Sequence, residues 1–452
     1  MSDRCDLIVL GTGVAGAEVA AQAARHGLDV LAIEQRLVGG ECPYWGCIPS
    51  KAMARAAGVL GEAARAGQLA GKSAVEPDWT IVASRVAEVS EHWDDARAAD
   101  RLERSGATLL RGSGQIVGPA EVEVGGRRFA ARKGLVIATG TEPAIPSVDG
   151  LSGIPYWTNR EAVEAGTIPR SLIVLGAGAV GLELAQAFRR FGAEVTVVEA
   201  AGHALPMEEP ENAAAMDEVL RRDGITLITG TTAAAVAGSE RGVTIELSDG
   251  THVEGERLLV ATGRRPNLRS LGVAGLGIDP DAPSVATDEN LRAGDGVWAI
   301  GDVTGHGEFT HVAYYQAQIA AADILGTEHE PADYTAVPRV TFTDPEVASV
   351  GLTEASARAR GLDVKVGLLP TRASDRGWLH GPGADLGVTK VVADADAGVL
   401  VGGSVMGPAS GEVAAFLALA IRARIPVPLL MEVIYPYPTF TRGVRGALRR
   451  LG

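Results

Sequence analysis

Asp6-Leu-Ile-Val-Leu10-Gly11-Thr-Gly13-Val-Ala-Gly16, followed by an alanine-rich run and then Val30-Leu-Ala-Ile-Glu34, is the stretch whose reading decides the fold. An apolar strand leads into a glycine turn, a helix, and a second strand that ends on an acid. The first glycine permits the tight turn, the second lets the backbone approach a pyrophosphate, and the third lets helix and strand pack closely. Phosphates then sit at the helix N-terminus, where unbonded N–H groups and the helix dipole favour negative charge. Glu34 is placed to accept a hydrogen bond from a ribose 2′-hydroxyl. One such motif is weak evidence, but it recurs. Ser171-Leu-Ile-Val-Leu-Gly176-Ala-Gly178-Ala-Val-Gly181 repeats it and closes at Val197-Val198-Glu199, with every landmark shifted by 165 positions and no gap. Gly11 maps onto Gly176, Gly13 onto Gly178, Gly16 onto Gly181, Glu18 onto Glu183 and Glu34 onto Glu199. Two copies in register predict two dinucleotide sites on one chain.

Composition bounds the remaining choices. A chain of 452 residues, 46% hydrophobic and with 58 glycines, suits a multidomain α/β protein with many tight turns. The formal charge of −15 disfavours nucleic acid or an anionic membrane surface as partner. Cys5, Cys42 and Cys47 are the only cysteines, too few for a structural disulfide framework, so a reducing cytoplasm is expected and any disulfide would be catalytic. The apolar opening Leu7–Leu10 is too short for a signal-peptide core, and no apolar run approaches the ~20 residues that span a bilayer. A soluble protein is expected.

The sequence between and after the repeats is read more coarsely. Residues 52–105 are alanine- and charge-rich at helical spacing and read as long solvated helices without assigned chemistry. Strands are expected at Thr108–Leu110, Gln115–Val117 and Glu121–Val124. Two further strands, Leu135-Val-Ile-Ala-Thr139-Gly140 and Leu258-Leu-Val-Ala-Thr-Gly263, end in small-residue turns, the second followed by Arg264. Val297-Trp-Ala-Ile-Gly301-Asp302 reads as a strand ending in Gly-Asp, and a helix is expected from Thr310.

Between the first fingerprint and the helical region lies Gly39-Gly40-Glu41-Cys42-Pro43-Tyr44-Trp45-Gly46-Cys47-Ile48-Pro49-Ser50-Lys51. If the chain is helical from about Cys47 onward, the two sulfurs lie close enough to bridge. Spacing alone leaves two readings open: a redox-active dithiol, or two small buried hydrophobes. The glycines, the Pro-Ser-Lys tail and the paired nucleotide motifs favour the dithiol. This pattern resembles the active-site signature of the flavin-dependent pyridine nucleotide-disulfide oxidoreductases, a family that includes dihydrolipoamide dehydrogenase, glutathione reductase and mercuric reductase. The resemblance runs over nearly the whole chain.

The resemblance implies an α/β fold of two Rossmann-like dinucleotide-binding domains plus a C-terminal α+β interface domain. FAD would take 1–148 and 268–335, the nicotinamide cofactor 149–267, and the dimerisation domain 336–452 of a homodimer. Glu199 would bond the 2′-hydroxyl of NADH and repel the 2′-phosphate of NADPH, and Ala200-Ala-Gly-His203 brings no arginine to offset that repulsion, so NADH is expected over NADPH. Gly40, Thr139, Gly140, Gly263, Arg264 and Gly301 join the cofactor-binding positions, and Asp302 matches the aspartate that bonds the ribityl chain. Cys47 would lie against the flavin and Cys42 would face the substrate. Lys51 and Glu183 occupy the positions of the ion pair beside flavin N5, with Lys51 also counted among the cofactor contacts. The helix that begins at Thr310 would point its N-terminus at the flavin and stabilise the negative charge of the reduced ring, and His311 either adds to that or caps and packs the helix.

Two departures from the pattern stand out. Tyr44 and Trp45 replace smaller residues between the cysteines, and either pack or reshape the approach to Cys42. In Tyr435-Pro-Tyr437-Pro-Thr-Phe-Thr-Arg442, Tyr437 and Arg442 stand where dithiol-handling members carry histidine and glutamate. A phenol with a reference pKa of ~10 is a poor base at neutral pH, which disfavours dihydrolipoamide and glutathione. Tyrosine here resembles mercuric reductase, but no C-terminal cysteine pair accompanies it. The expected activity is an enzyme that moves electrons from NADH through flavin and a Cys42–Cys47 disulfide to a small-molecule acceptor: a quinone, a disulfide or a soft metal ion. The alternatives are a quinone reductase that bypasses the cysteines, a mercuric-reductase-like enzyme, and a nucleotide-sensing or assembly subunit. No metal site is expected.

Overall fold

Strand Arg4–Leu10 lies inside a parallel sheet, between Val30–Glu34 on one side and Arg127–Ile137 on the other. Thr108–Arg111 extends the sheet beyond Val30–Glu34, and Val297–Ala299 extends it beyond Arg127–Ile137. These strands read as near-continuous apolar runs because both faces are covered, one by helices and the other largely by the hairpin residues Ile116, Val122 and Val124 with Leu268, Leu271 and Val273. Leu7 and Val9 turn to the side on which Val14–Arg25 and Thr310–Leu325 pack, and Ile8 and Leu10 to the other. The hairpin Gly114–Gly118/Glu121–Val124 continues antiparallel into Arg127–Ile137. This sheet forms the first of two compact units, made of residues up to Pro49, Val86–Ala144 and Arg264–Tyr334. The computed structural model describes residues 3–239 and 242–452.

The second unit comprises Ser50–Arg85, Ile145–Gly263 and Thr335–Gly452. Its nucleotide-motif part is a parallel sheet in the order Thr226–Thr229, Glu194–Glu199, Ser171–Leu175, Arg257–Val260, beside a three-stranded antiparallel meander. Its C-terminal part is an antiparallel sheet in the order Pro338–Thr341, Glu346–Gly351, Val399–Gly407, Val388–Asp394, Val364–Pro370. Helix Ser410–Arg422 lays Val413, Leu417 and Ile421 on that sheet. The expected α/β class and C-terminal α+β domain are both present.

The helices expected over 52–105 are Cys47–Arg65, Trp79–Val89 and Ala96–Arg104. They are less solvated than their composition suggests. Trp79 packs on Phe188 and Phe191 with ring centroids 5.3 and 5.1 Å away and donates its indole N–H to Ala165 O at 2.7 Å. The aromatic that fixes this helix lies outside the charged run that sets its composition.

Lys390 on strand Val388–Asp394 is 2% exposed, and its Nζ reaches Glu209 Oε2, Glu211 Oε1 and Glu354 Oε2, each at 2.9 Å. Burial alone would lower the ammonium pKa, but hydrogen bonds to Glu354, Glu211 and Glu209 hold it above its ordinary value. Asn212 completes the join, donating to Ser404 Oγ at 2.8 Å and accepting from Val388 N at 2.9 Å.

Candidate active site

Gly39 and Gly40 turn the chain into a four-residue helix, Glu41–Tyr44, which ends before helix Cys47–Arg65 begins. Glu41 O accepts from both Trp45 N and Gly46 N, at 2.8 and 2.7 Å, and this double bond folds the segment between the cysteines back on itself. The sulfurs therefore meet across a break between two helices, and the second helix begins at Cys47 as the spacing suggested. They are hydrogen-bonded to each other, and Cys47 Sγ lies 3.1 Å from Thr310 Oγ1. The Cys42 thiol is pushed up, first by its hydrogen bond with Cys47 and then by burial. Cys47 is the first residue of its own helix and contacts the first residue of Thr310–Leu325. Both helix ends favour negative charge on that sulfur.

Of the two replaced residues, Tyr44 packs: it is buried, its hydroxyl donates to Val38 O at 3.1 Å, and Trp93 Nε1 donates to its carbonyl at 3.1 Å. Trp45 stands edge-on to it, 5.9 Å away. His311 stacks on Phe309.

The two glycine fingerprints are wired alike. A Cβ on Gly11 (φ +88°) would lie 2.5 Å from Ala138 O, and one on Gly176 (φ +102°) 2.4 Å from Ala261 O. Each Ala-Thr-Gly turn, Ala138-Thr139-Gly140 and Ala261-Thr262-Gly263, therefore closes against the first glycine of its own fingerprint, a packing role the sequence did not reveal. Glu34 accepts from Thr12 N and Arg36 N, both at 2.8 Å, and Glu199 accepts from Ala177 N at 2.7 Å and Ala201 N at 2.8 Å. These donors are again 165 positions apart. Thr12 Oγ1 adds a bond of 2.9 Å to Glu34 that Ala177 has no counterpart for. Gly13 and Gly16 open helix Val14–Arg25, and Gly178 and Gly181 open Ala179–Arg190.

In the first unit, Arg264 donates to Thr141 Oγ1 and O at 2.9 and 2.7 Å and lies 3.9 Å from Glu41. Asp302, next to Gly301, has a long bond of 3.4 Å from Thr141 Oγ1. Burial raises the Asp302 carboxyl, against the attraction of Arg264. Thr141 and Thr310 are the members of this group that sequence reasoning missed. Neither hydroxyl stands out in a motif, because each acts through a fold contact.

In the second unit, Lys51 Nζ pairs with Glu183 Oε2 at 2.8 Å, and Glu183 Oε1 accepts from Phe342 N at 2.9 Å. Lys51 also lies 5.0 Å from the centre of the Phe342 ring. Gln186 and Arg190, one and two turns further along the same helix, hold Asp344: Gln186 bonds its N and O at 2.7 and 3.1 Å, and Arg190 its carboxylate at 2.7 Å. Arg65 joins that carboxylate at 2.8 Å. Tyr437 is 64% exposed, with the Arg442 guanidinium 4.8 Å from its ring centre.

Two family profiles match the chain: pyridine nucleotide-disulphide oxidoreductase over residues 5–317, and the dimerisation domain of the same family over 337–448. The chain belongs to this family. A dihydrolipoyl dehydrogenase of Thermus scotoductus is 38% identical, covering 99% of this chain and 97% of the relative. A mercuric reductase of Lysinibacillus sphaericus is 32% identical over 98% of this chain and 82% of the relative. The Cu(II) complex of RclA, an HOCl-induced flavoprotein disulfide reductase from Escherichia coli, superposes with a TM-score of 0.87 at 26% identity, covering 99% of both chains. As a pyridine nucleotide-disulphide oxidoreductase, this protein is an FAD-dependent enzyme that uses NAD(P)H and a redox disulfide, and its C-terminal domain is of the dimer-forming type. None of its described helices is long and apolar enough to cross a membrane.

The residues present fit the two cofactors. A Cβ on Gly40 would lie 2.9 Å from Gly13 Cα, so only glycines leave the first phosphate turn open beside the Gly39-Gly40 turn. A carboxylate has about four acceptor positions. The bonds above leave Glu34 and Glu199 room for a ribose hydroxyl, and the weakly bonded Asp302 is ready to accept from a polyol.

Proposed function

We propose that the enzyme takes electrons from NADH and passes them through FAD to the Cys42–Cys47 pair, then from Cys42 to a small acceptor other than dihydrolipoamide or glutathione. In this reading FAD binds 1–148 and 268–335, NADH binds 149–267, and 336–452 forms the dimer contact. The observation that carries it is the paired thiols across the break between two helices, with Cys47 opening its own helix and lying 3.1 Å from Thr310 Oγ1 at the start of another. FAD, when bound, supplies the two-electron carrier between nicotinamide and sulfur. Two electrons and one proton convert the disulfide into a Cys42 thiol and a Cys47 thiolate. Cys42 releases its proton to water as it attacks or ligates the acceptor, and the Cys47 thiolate then closes the disulfide on Cys42 as the acceptor leaves reduced by the same electron pair. Lys51, aimed by its ion pair with Glu183, supplies a fixed cation. Glu199 selects NADH, since no arginine follows it through His203.

Within this reading, soft metal ions are the second acceptor class to consider. Tyr437 favours them, since it gives no efficient acid for protonating a leaving thiolate, and mercuric reductases are among the relatives. Anaerobic titration with NADH tests the proposal. Wild type should take up two electron pairs per FAD, with absorbance beyond the flavin's own bands at the half-way point, and Cys42→Ser should take up one pair. Quinone turnover that survives in Cys42→Ser while every other acceptor fails would instead make the cysteines bystanders.

A further inference from the structure

From Val433 to Gly452 the sequence holds Arg442, Arg445, Arg449 and Arg450 and no acid, in a chain whose formal charge is −15. Spacings of three and four put the first three on one face of helix Arg442–Leu448 and its last turn. That face lines a cavity of about 180 Å³, closed on the far side by Arg376 and Asp375. Among the described residues, none of these five arginines is in an ion pair, whereas Arg221 and Arg222 elsewhere share Glu218 at 2.7 and 2.9 Å. Arg442 and Arg376 instead lie over the Tyr437 and Phe440 rings, and Arg450 bonds Gly446 O. Arg445 Nε is buried without a hydrogen-bond partner.

Five guanidinium groups converging on one cavity repel each other, and a buried unpaired donor costs further stability. Both penalties vanish when a multiply charged oxyanion enters, because guanidinium forks match carboxylate and phosphate oxygens in charge and in shape. The cavity is below the ~300 Å³ at which drug-sized sites begin, so a small group is admitted and a dinucleotide is not. We propose that this cavity binds a small polyanion, a phosphate ester or a polycarboxylate, at a site separate from both glycine turns. The site is argued from the cavity and its charges and holds whatever the electron acceptor is.

Calorimetric titration of the FAD-loaded enzyme tests this, with pyrophosphate and citrate as probes, sodium chloride fixing the ionic strength, and saturating NAD⁺ blocking the nicotinamide site. The expected result is saturable binding of one anion per chain, with the tighter probe telling phosphate from carboxylate chemistry. Arg445→Gln, and separately the more exposed Arg449→Gln, should each weaken binding at least tenfold, while Arg221→Gln should not. If Arg445→Gln fails to fold, Arg449→Gln and Arg376→Gln carry the comparison. No saturable binding under NAD⁺, or unchanged affinity in the folded variants, overturns the proposal.

Discussion

The Thr310 hydroxyl lies 3.1 Å from Cys47 Sγ and also bears on Cys42, so it can donate to whichever sulfur carries charge. Thr310→Val keeps the shape and removes the donor. A hydrogen bond to a charged group is worth about 1.5–3 kcal/mol, which corresponds to about one to two pKa units. The long-wavelength absorbance of the NADH-reduced enzyme should therefore titrate that much higher in pH in Thr310→Val. Spectra recorded across pH would check it, and an unshifted midpoint would remove Thr310 from the thiol chemistry. Cys5, the third cysteine, is a different case. Burial in strand Arg4–Leu10 pushes its thiol up from 9.0 to about 11, with Asp29 adding to the effect. The folded state thus holds the proton more tightly than the unfolded chain. The stability this gives is complete below pH 9.0 and lost as pH rises to about 11. Two units amount to about 2–3 kcal/mol. The melting-temperature gap between wild type and Cys5→Ala should narrow by a corresponding amount between pH 8 and pH 11.

Helix Ala179–Arg190 does two jobs with one stripe. Gly178 and Gly181 at its start belong to the second glycine turn, while Glu183, Gln186 and Arg190 grip the segment from Phe342 to Asp344, Glu183 also pairs with Lys51, and Arg65 joins at Asp344. Glu183 is thereby held from the far side by Phe342 N, which sets the direction in which it presents a carboxylate to Lys51. Asp344→Ala would leave the part-buried Arg190 and Arg65 with one carboxylate fewer each, at a cost of about 1–2 kcal/mol, visible as a lowered melting temperature. Glu183 was legible in the sequence because the family resemblance pairs its position with Lys51. Gln186 and Asp344 were not, since they are 158 positions apart and bond mainly through a side-chain amide and a backbone unit, which leaves no residue-type signature. The two parallel sheets were readable for the opposite reason: buried strands and phosphate turns tolerate few residue types, so the 165-position repeat survives in plain view. Helix Trp79–Val89 was read as solvated because the charged run in the neighbouring helix set the composition of 52–105 and masked Trp79, which anchors it.

The C-terminal domain leaves apolar side chains in the open: Ile434 is 97% exposed, and Leu419, Leu429 and Tyr437 are also exposed. Isolated apolar residues on a surface are ordinary, but several on a domain of the dimerisation type mark where a second copy docks. Ile434→Asp should shift the protein from dimer to monomer on size-exclusion chromatography. An unchanged elution volume would place the contact elsewhere. Composition could not locate this surface, because the same residue types fill the cores.

The Lys390 nest bears on how such enzymes can be recombined. Its ammonium lies on the last sheet, while Glu209, Glu211 and the Asn212 amide come from a helix more than a hundred positions upstream. Grafting on the C-terminal domain of a relative lacking this lysine would leave the buried Glu209 carboxylate without its cation. The segment that looks like an attachable module is therefore rooted in its neighbour, and a working chimera must exchange 209–212, 354 and 390 as a set.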